Sequence, residues 1–421
     1  MRDLPAGSAA VGRQVTDVLI ATMAFPAASE AFAGVEVRSL LAHGVHVRVR
    51  ALRVANKLAD SLLPDWRLTD LDVTHWSIRS LARGILAMLR RPTEMFWASA
   101  WLCRNAWRSP RLALRCAVFL PRMFDILDEC ELMPPSVLHV FWGHYPAVLA
   151  ALVKRRMPGV HVSMSLGAYD LVYGFGPSIG AANMADTVWT HAQCNVASIR
   201  ASGVYNPRLE ILRRGLDFTE VPLSFPDRIP GRVVTVARLE KNKGVDDVIR
   251  AFAAARARLP HLQLVIIGEG PDRRRLERLA SDLNLKDCLR FTGAATHGTV
   301  FSELAMADVF MLLSRSPSER LPNSLKEAMA CRCVCITTRT PGIEELRAHV
   351  DNPLVVEQGD WRLAARRLEE VVSEPDRFAQ AREAGSALLF RDFDSRVLAA
   401  RRIAVWAERA PTESSPRQEA L

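Results

Sequence analysis

The residues of this 421-residue chain best suited to chemistry follow strand-like apolar runs in its C-terminal half. After Val233–Ala237 comes Arg238-Leu-Glu-Lys-Asn-Lys243-Gly244, and a helical pattern begins immediately beyond. Two long cations beside a helix N-terminus suit a diphosphate, because charge, helix dipole and free backbone N–H groups all favour an anion. By itself such a loop is a weak signal, since solvated basic loops are common. After Asp308–Ser314 comes Glu319-Arg-Leu-Pro-Asn-Ser-Leu-Lys-Glu327. Pro322 suits the first helical position, which leaves Glu319 in the loop and Glu327 about one turn into the helix. Carboxylates placed there can accept paired hydrogen bonds from the diols of a sugar or a ribose. The backbone N–H groups of Asn323 and Ser324, at the start of that helix, would face a phosphate.

The elements that must hold these loops alternate regularly. Strands are readable at Val233–Ala237, Leu262–Gly268, Cys288–Gly293, Asp308–Ser314 and Val334–Thr338, with helical segments between them. Such alternation implies a parallel sheet covered on both faces, with ligands at the carboxyl ends of its strands. The N-terminal half reads as a second α/β unit. Val18–Phe25 is a strand, Ala33, Val37, Leu40 and Leu41 recur at helical spacing, Gly44 closes that helix, and Val45, Val47 and Val49 alternate in the next strand. Leu138–Trp142, Val160–Ser165 and Asp186–Thr190 supply further strands. The expected organisation is a loose N-terminus over 1–16, one domain over 17–222 with a helical insertion at about 78–130, and a second domain over 232–394. The proline-rich stretch Leu223–Gly231 links the two, and 395–421 holds a terminal helix, able to pack back on the first domain, and a tail.

Composition narrows the function classes. Half of the residues are apolar and a quarter charged, as in a globular enzyme. The net charge of +9 suits an anionic partner, whether nucleotide diphosphate, acidic membrane surface or nucleic acid. Dispersed arginines and the lack of a module with stacking aromatics argue against nucleic acid. The eight cysteines are irregularly spaced and do not suggest a disulfide framework, so reduced thiols and a cytoplasmic setting are the default. Cys331, Cys333 and Cys335 would share one face of a buried strand, and no convincing metal motif is present. A signal-peptide-like pattern near Val18–Phe25 is interrupted by Asp17, Pro26 and Glu30, and no transmembrane helix is expected. In the insertion, Trp97 and Trp101 align with Arg104 and Arg108. That pattern fits a helix resting on an anionic membrane, and equally a helical layer packed on its own domain.

The full motif set resembles retaining glycosyltransferases of family 4, which have the GT-B fold of two Rossmann-like domains facing each other across a cleft. It comprises Val-Ala-Arg238-Leu-Glu-Lys-Asn-Lys243-Gly244, Ile-Gly268-Glu-Gly270-Pro271, Phe291-Thr292-Gly293, the Glu319/Glu327 pair and Thr-Pro-Gly342-Ile-Glu-Glu345-Leu. The resemblance implies that Arg238 and Lys243 neutralise the departing diphosphate, that Glu327 holds the ribose and that Glu319 contacts the donor sugar. Glu319, Arg238 and Lys243 are then the catalytic set. Gly270, Thr292, Asn323, Ser324 and Glu327 complete the donor site. The reaction implied is transfer from a nucleotide sugar with retention of configuration, through electrostatic stabilisation of the leaving phosphate. The nucleotide sugar is a co-substrate, and neither cofactor nor metal is required.

In the N-terminal half, Phe25-Pro-Ala-Ala-Ser29-Glu30-Ala31-Phe32 is similar to the Ser-Glu-Thr-Phe signature of a branch acting on bacterial surface polysaccharides. His139-Val-Phe-Trp-Gly143 resembles that branch's His-rich strand end. Glu30, His139 and Asp170 are the acceptor-side candidates, although Glu30 also suits a carboxylate stabilised by a helix dipole. A lipid-linked glycan is the expected acceptor, and the inner face of a cell membrane the expected place of work. Two departures motivate an alternative, a relative that binds nucleotide sugars as an assembly partner without catalysis. Gly167 stands where the family usually has a histidine, for which His139, His144 or His191 are the local substitutes. Arg320 stands where glycine usually follows the first glutamate, and could alter donor choice or add a phosphate contact. A nicotinamide-dependent dehydrogenase is disfavoured, because Gly268-Glu-Gly270-Pro-Asp-Arg273 lacks the third glycine of a dinucleotide fingerprint.

Overall fold

The computed structural model describes residues 14–27, 30–54, 59–107, 109–167, 170, 174–222, 226–347 and 352–408. Ser29, Arg108 and most of the two expected loose termini lie outside this set. The chain folds as two compact units. The first holds residues up to His191, Ala197–Leu212 and the stretch from Arg396 onward. The second holds Ala192–Val196 and Arg213–Ser395, so 192–196 and 213–222 group with the C-terminal unit rather than the N-terminal one.

Among the described residues of the first unit, seven strands pair in parallel: β1 (Asp17–Thr22), β2 (His46–Ala51), β3 (Asp72–Thr74), β4 (Val137–Val140), β5 (His161–Ser165), β6 (Thr187–Thr190) and β7 (Leu209–Ile211). Their order is β3-β2-β1-β4-β5-β6-β7, so the winding reverses between β1 and β4. The central strands read as apolar runs because both faces are covered. Val47 and Val49 face a core with Val37, Leu40 and Trp66, while Arg48 and Arg50 point the other way. Burial of those two guanidiniums is offset by Glu129, at 2.9 Å from Arg48 and 2.6 Å from Arg50. The insertion is four helices, Ile78–Arg90, Pro92–Ala106, Pro110–Val118 and Leu120–Leu132, with Pro110 first in its helix as expected.

The helix Ser395–Ala407 closes the core of the first unit from its Arg396 onward. Arg402 lies between Glu36, at 2.6 Å, and the Nε2 atom of His139, at 2.9 Å. The indoles of Trp406 and Trp189 both donate to the Ser163 hydroxyl at 2.8 Å. Ser163 also lies 3.0 Å from the Nδ1 atom of His139.

The second unit is likewise parallel. Its described strands are β8 (Arg232–Val236), β9 (Gln263–Ile267), β10 (Leu289–Gly293), β11 (Val309–Leu312), β12 (Val334–Thr338) and β13 (Leu354–Val356), in the order β10-β9-β8-β11-β12-β13. Of the three cysteines expected on one strand face, only Cys335 lies in a strand. Cys331 ends the preceding helix and Arg332 turns the chain with φ of +59°, which breaks the alternation. All three thiols are buried and free, and burial raises their pKa values.

Replacing Arg402 with alanine should remove the cation that lies between Glu36 and buried His139. Loss of one partner of a buried pair costs about 3 kcal/mol. Chemical denaturation of Arg402→Ala should therefore show a midpoint well below that of the wild type, and an unchanged midpoint would contradict the arrangement.

Candidate nucleotide-sugar site

The site in the second unit is built where β8 and β11, neighbours in the sheet, run out into loops. Beyond β8 the chain makes a single 3-10 turn, Lys241–Lys243, and enters the helix Val245–Arg256 through Gly244. Gly244 has φ of +65°, and a Cβ there would collide with the Leu313 carbonyl oxygen after β11. Glycine is thus what allows the two loops to touch. They are stitched by the Arg315 N–H donating to the Asn242 carbonyl at 2.8 Å. Across this seam the Lys243 ammonium meets Glu319 Oε2 at 2.6 Å, and the Ser314 hydroxyl donates to the same oxygen at 3.0 Å. Both charged groups are only partly exposed, so each largely neutralises the other until an anion competes for the lysine.

The chain turns after Glu319 through Leu321, whose φ is +36°. Helix Asn323–Ala330 follows, with Pro322 as its N-cap rather than its first helical residue. The difference has a physical reason: Pro322 has ψ of 133°, extended rather than helical, so its ring orients the entry. Asn323 and Ser324 are half-buried in the first turn, which holds no acidic residue. Glu327 follows one turn later and is buried. Burial raises its pKa above the ordinary glutamate range, against a lowering contribution from His297 and Lys326. The neighbouring Lys326 is fully buried; its ammonium donates to the Arg214 carbonyl at 2.7 Å and lies 5.2 Å from the Phe393 ring centre. Burial lowers its pKa to about 7.

Arg238 is the exposed member of the set, paired with Glu240 at 2.5 Å. Gly270 packs against the Leu239 carbonyl, next to that same loop. The Thr292 hydroxyl donates to the Gly293 carbonyl at 3.1 Å at the end of β10. Arg320 folds back on its own loop. Its guanidinium donates to the carbonyls of Pro317 at 2.7 Å and Glu319 at 2.9 Å, and to the Asn195 side chain at 3.2 Å. It staples the loop carrying Glu319. Ser314 was not singled out from sequence, because nothing in a strand-end serine announces which carboxylate it will hold.

In the first unit the acceptor-side candidates separate. Glu30 opens the helix Ala31–Ala42 after β1, caps no backbone N–H with its side chain, and accepts a hydrogen bond from the Trp142 indole at 3.2 Å. His139 has no exposed surface and its ring nitrogens are engaged by Ser163 and Arg402. Burial, with Arg402 nearby, holds its pKa well below the ordinary histidine range. The expected acceptor contact of His139 is therefore corrected to a neutral core residue. Asp170 is also buried, accepting from the N–H groups of Gly167 at 3.0 Å and His144 at 3.2 Å, and it holds two loops together.

Residues 228–387 match the family model described as "Glycosyl transferases group 1". That segment contains every donor-site residue described above. Over that segment the chain is similar to the group 1 glycosyl transferases. Over 281 residues the chain is 29% identical to the N-acetyl-alpha-D-glucosaminyl L-malate synthase of Bacillus anthracis, covering 62% of this chain and 71% of that protein. It is 24% identical over 362 residues to the putative colanic acid biosynthesis glycosyltransferase WcaL of Escherichia coli, covering 82% and 87%. The crystal structure of Anabaena HepE in complex with UDP superimposes with a TM-score of 0.69 at 14% identity, covering 92% of this chain and 98% of that one. The fold is thereby the two-domain GT-B arrangement of glycosyltransferases, and the sequence relatives include enzymes of bacterial polysaccharide biosynthesis.

Lys243→Ala and Glu327→Ala should each weaken use of a nucleotide-sugar donor at least tenfold, on the order of 1.4 kcal/mol. Glu327 must be ionised to accept from a diol, and its pKa is raised. Donor affinity should thus fall on acidification at a pH above the ordinary glutamate range. Titration by calorimetry between pH 5 and 8 checks this, and Glu327→Gln should flatten the profile.

Proposed function

We propose that the chain is a retaining glycosyltransferase. It moves a sugar from a nucleotide-diphosphate donor onto a lipid-linked glycan in bacterial polysaccharide assembly, without cofactor or metal. The observation that carries the reading is the Lys243–Glu319 pair at the joined ends of β8 and β11, with helix Asn323–Ala330 entering beside it. A diphosphate draws the lysine and the helix N-terminus, while the released carboxylate turns to a sugar hydroxyl. Charge accumulating on the leaving phosphate is then met by Lys243 and Arg238, which is the main catalytic contribution. Support for a nucleotide sugar comes from the UDP and UDP-glucose complexes of HepE, and support for polysaccharide assembly from the colanic acid and amylovoran relatives. Retention rests on the family 4 resemblance.

The reading extends to an anionic membrane at the cytoplasmic face. Residues 78–118 hold eight arginines (79, 83, 90, 91, 104, 108, 111 and 115) and a single acid, Glu94. Their helices expose Ile78, Leu89, Phe96, Trp107, Leu114 and Val118. Arginines beside exposed apolar side chains suit a bilayer interface. The tryptophans expected to face it do not, since Trp97 and Trp101 stack at 6.1 Å and pack on the core. No helix among the described residues is long and apolar enough to cross a membrane.

Calorimetry with UDP-, GDP- and ADP-sugars, followed by nucleotide diphosphate release with membrane lipid extract as acceptor, tests the transferase. Binding with lipid-dependent release supports it, whereas binding with no release under any acceptor supports the non-catalytic alternative that Gly167 motivates. In sedimentation with phosphatidylglycerol vesicles, the wild type should pellet and Leu89→Glu/Phe96→Glu should lose at least fivefold. Equal pelleting of both, or none of either, would remove the membrane surface.

A further inference from the structure

We propose that Arg315 is a positioning residue for Lys243. It fixes the backbone of the turn that carries the lysine, so that the turn stays in place while the ammonium exchanges Glu319 for an anion. This role rests on the transferase reading and deepens it.

Lys243 needs such support for two reasons. Its ammonium ends a flexible four-carbon stem, so its aim depends on the backbone beneath it. That backbone is the single 3-10 turn Lys241–Lys243, and a lone turn fixes several dihedrals for very few hydrogen bonds. Within it, the Lys243 N–H donates to the Glu240 carbonyl at 2.9 Å. Further hold comes from the loop after β11.

Arg315 grips the chain on both flanks of the lysine. Ahead of Lys243, its Nη2 atom donates to the Lys241 carbonyl at 3.2 Å. At the adjoining residue, the Asn242 carbonyl accepts from the Arg315 backbone N–H at 2.8 Å and from the Ser314 hydroxyl at 3.3 Å. Beyond Lys243, the same guanidinium pairs with Asp246, and its Nε atom lies 3.6 Å from Asp247. Both aspartates are buried in the first turn of helix Val245–Arg256. One planar guanidinium therefore reaches a carbonyl before the lysine and carboxylates after it. Its forked donors allow that geometry, and an ammonium in its place would not.

The charge of Arg315 is already matched within this cluster. Asp246 and Asp247 also meet Arg250, at 3.3 Å and 3.6 Å, and Asp246 meets Arg275 at 3.5 Å. Arg275 pairs in addition with Asp272, at 2.6 Å, from helix Arg273–Asp282. What sets Arg315 apart is its reach to the Lys241 carbonyl. The Lys243–Glu319 pair must open before the lysine can take an anion, and a turn held by that pair alone would loosen at that moment. The contacts of Arg315 are separate from the pair, so they persist when it opens.

Two measurements on the full chain test the role: amide hydrogen exchange over residues 238–248, and calorimetry with UDP, GDP and ADP titrated to saturation. Arg315→Gln should exchange at least fivefold faster over that segment. It should also weaken whichever diphosphate the wild type binds at least fivefold. In a Lys243→Ala background that loss should shrink below twofold, because a residue acting through Lys243 has nothing left to position. Arg275→Gln, which removes a guanidinium from the same cluster, should leave both readouts within twofold. Should Arg315→Gln not fold, Arg315→Lys takes its place with the same outcomes expected, since it keeps the charge beside Asp246 and loses the fork. Unchanged exchange, unchanged affinity, an equal loss in the Lys243→Ala background or an equal loss from Arg275→Gln would each overturn the role. A wild type that binds none of the three diphosphates would instead overturn the transferase reading on which it rests.

Discussion

Parallel pairing of β8 with β11 is the constraint on which the candidate site depends. Because the two strands run side by side in the same direction, the loops at their carboxyl ends emerge together. A lysine and a glutamate separated by 76 positions in sequence then form a single ion pair. Gly244 allows the closest approach, and the Arg315–Asn242 backbone hydrogen bond holds it. Everything catalytic proposed for this domain uses groups that these two loops and the helix after them present. An antiparallel neighbour would have sent one loop to the opposite edge and left each charge merely solvated.

The same logic explains why the pair is poised rather than inert. A partly exposed salt bridge contributes little to stability, typically 0–1 kcal/mol. It therefore costs little to exchange for a diphosphate, which offers the lysine more charge and the helix N-terminus an anion. The buried carboxylate of Glu327 is different. Its desolvation is already incurred in the fold, so a diol that hydrogen-bonds it recovers part of that cost. Arg320, folded back onto its own loop, adds order there without adding charge to the opening.

Much of this was legible in the sequence, and the reasons for the misses are specific. The central strands announced themselves because burial on both faces demands unbroken apolar runs, as in Val233–Ala237 or Val334–Thr338. The edge strands β3, β7 and β13 did not, since three residues each carry too little pattern to separate from a loop. That Lys243 and Glu319 lie in strand-end loops and Glu327 one turn into a helix follows from local rules. His139 was misread because its role depends on Arg402, which lies 263 positions away. The helical character of the insertion shows in its periodicity, while which of its faces turns inward does not. Basic residues beside Trp97 and Trp101 fit a membrane-facing stripe and a packed helical layer equally; those rings pack on the core, and Leu89, Phe96 and Trp107 lie outside.

Charge is distributed differently in the two units, and that difference bears on what each can hold. The loop after β8 carries an exposed guanidinium and an ammonium that meets Glu319 of the loop after β11, and the helix that follows has no acid in its first turn. Those features select an anion. The loops after β1, β4 and β5 bring Glu30, the buried Asp170, an indole and a neutral imidazole. Among the described residues, those loops carry no counterpart to the Lys243 ammonium beside an acid-free helix start.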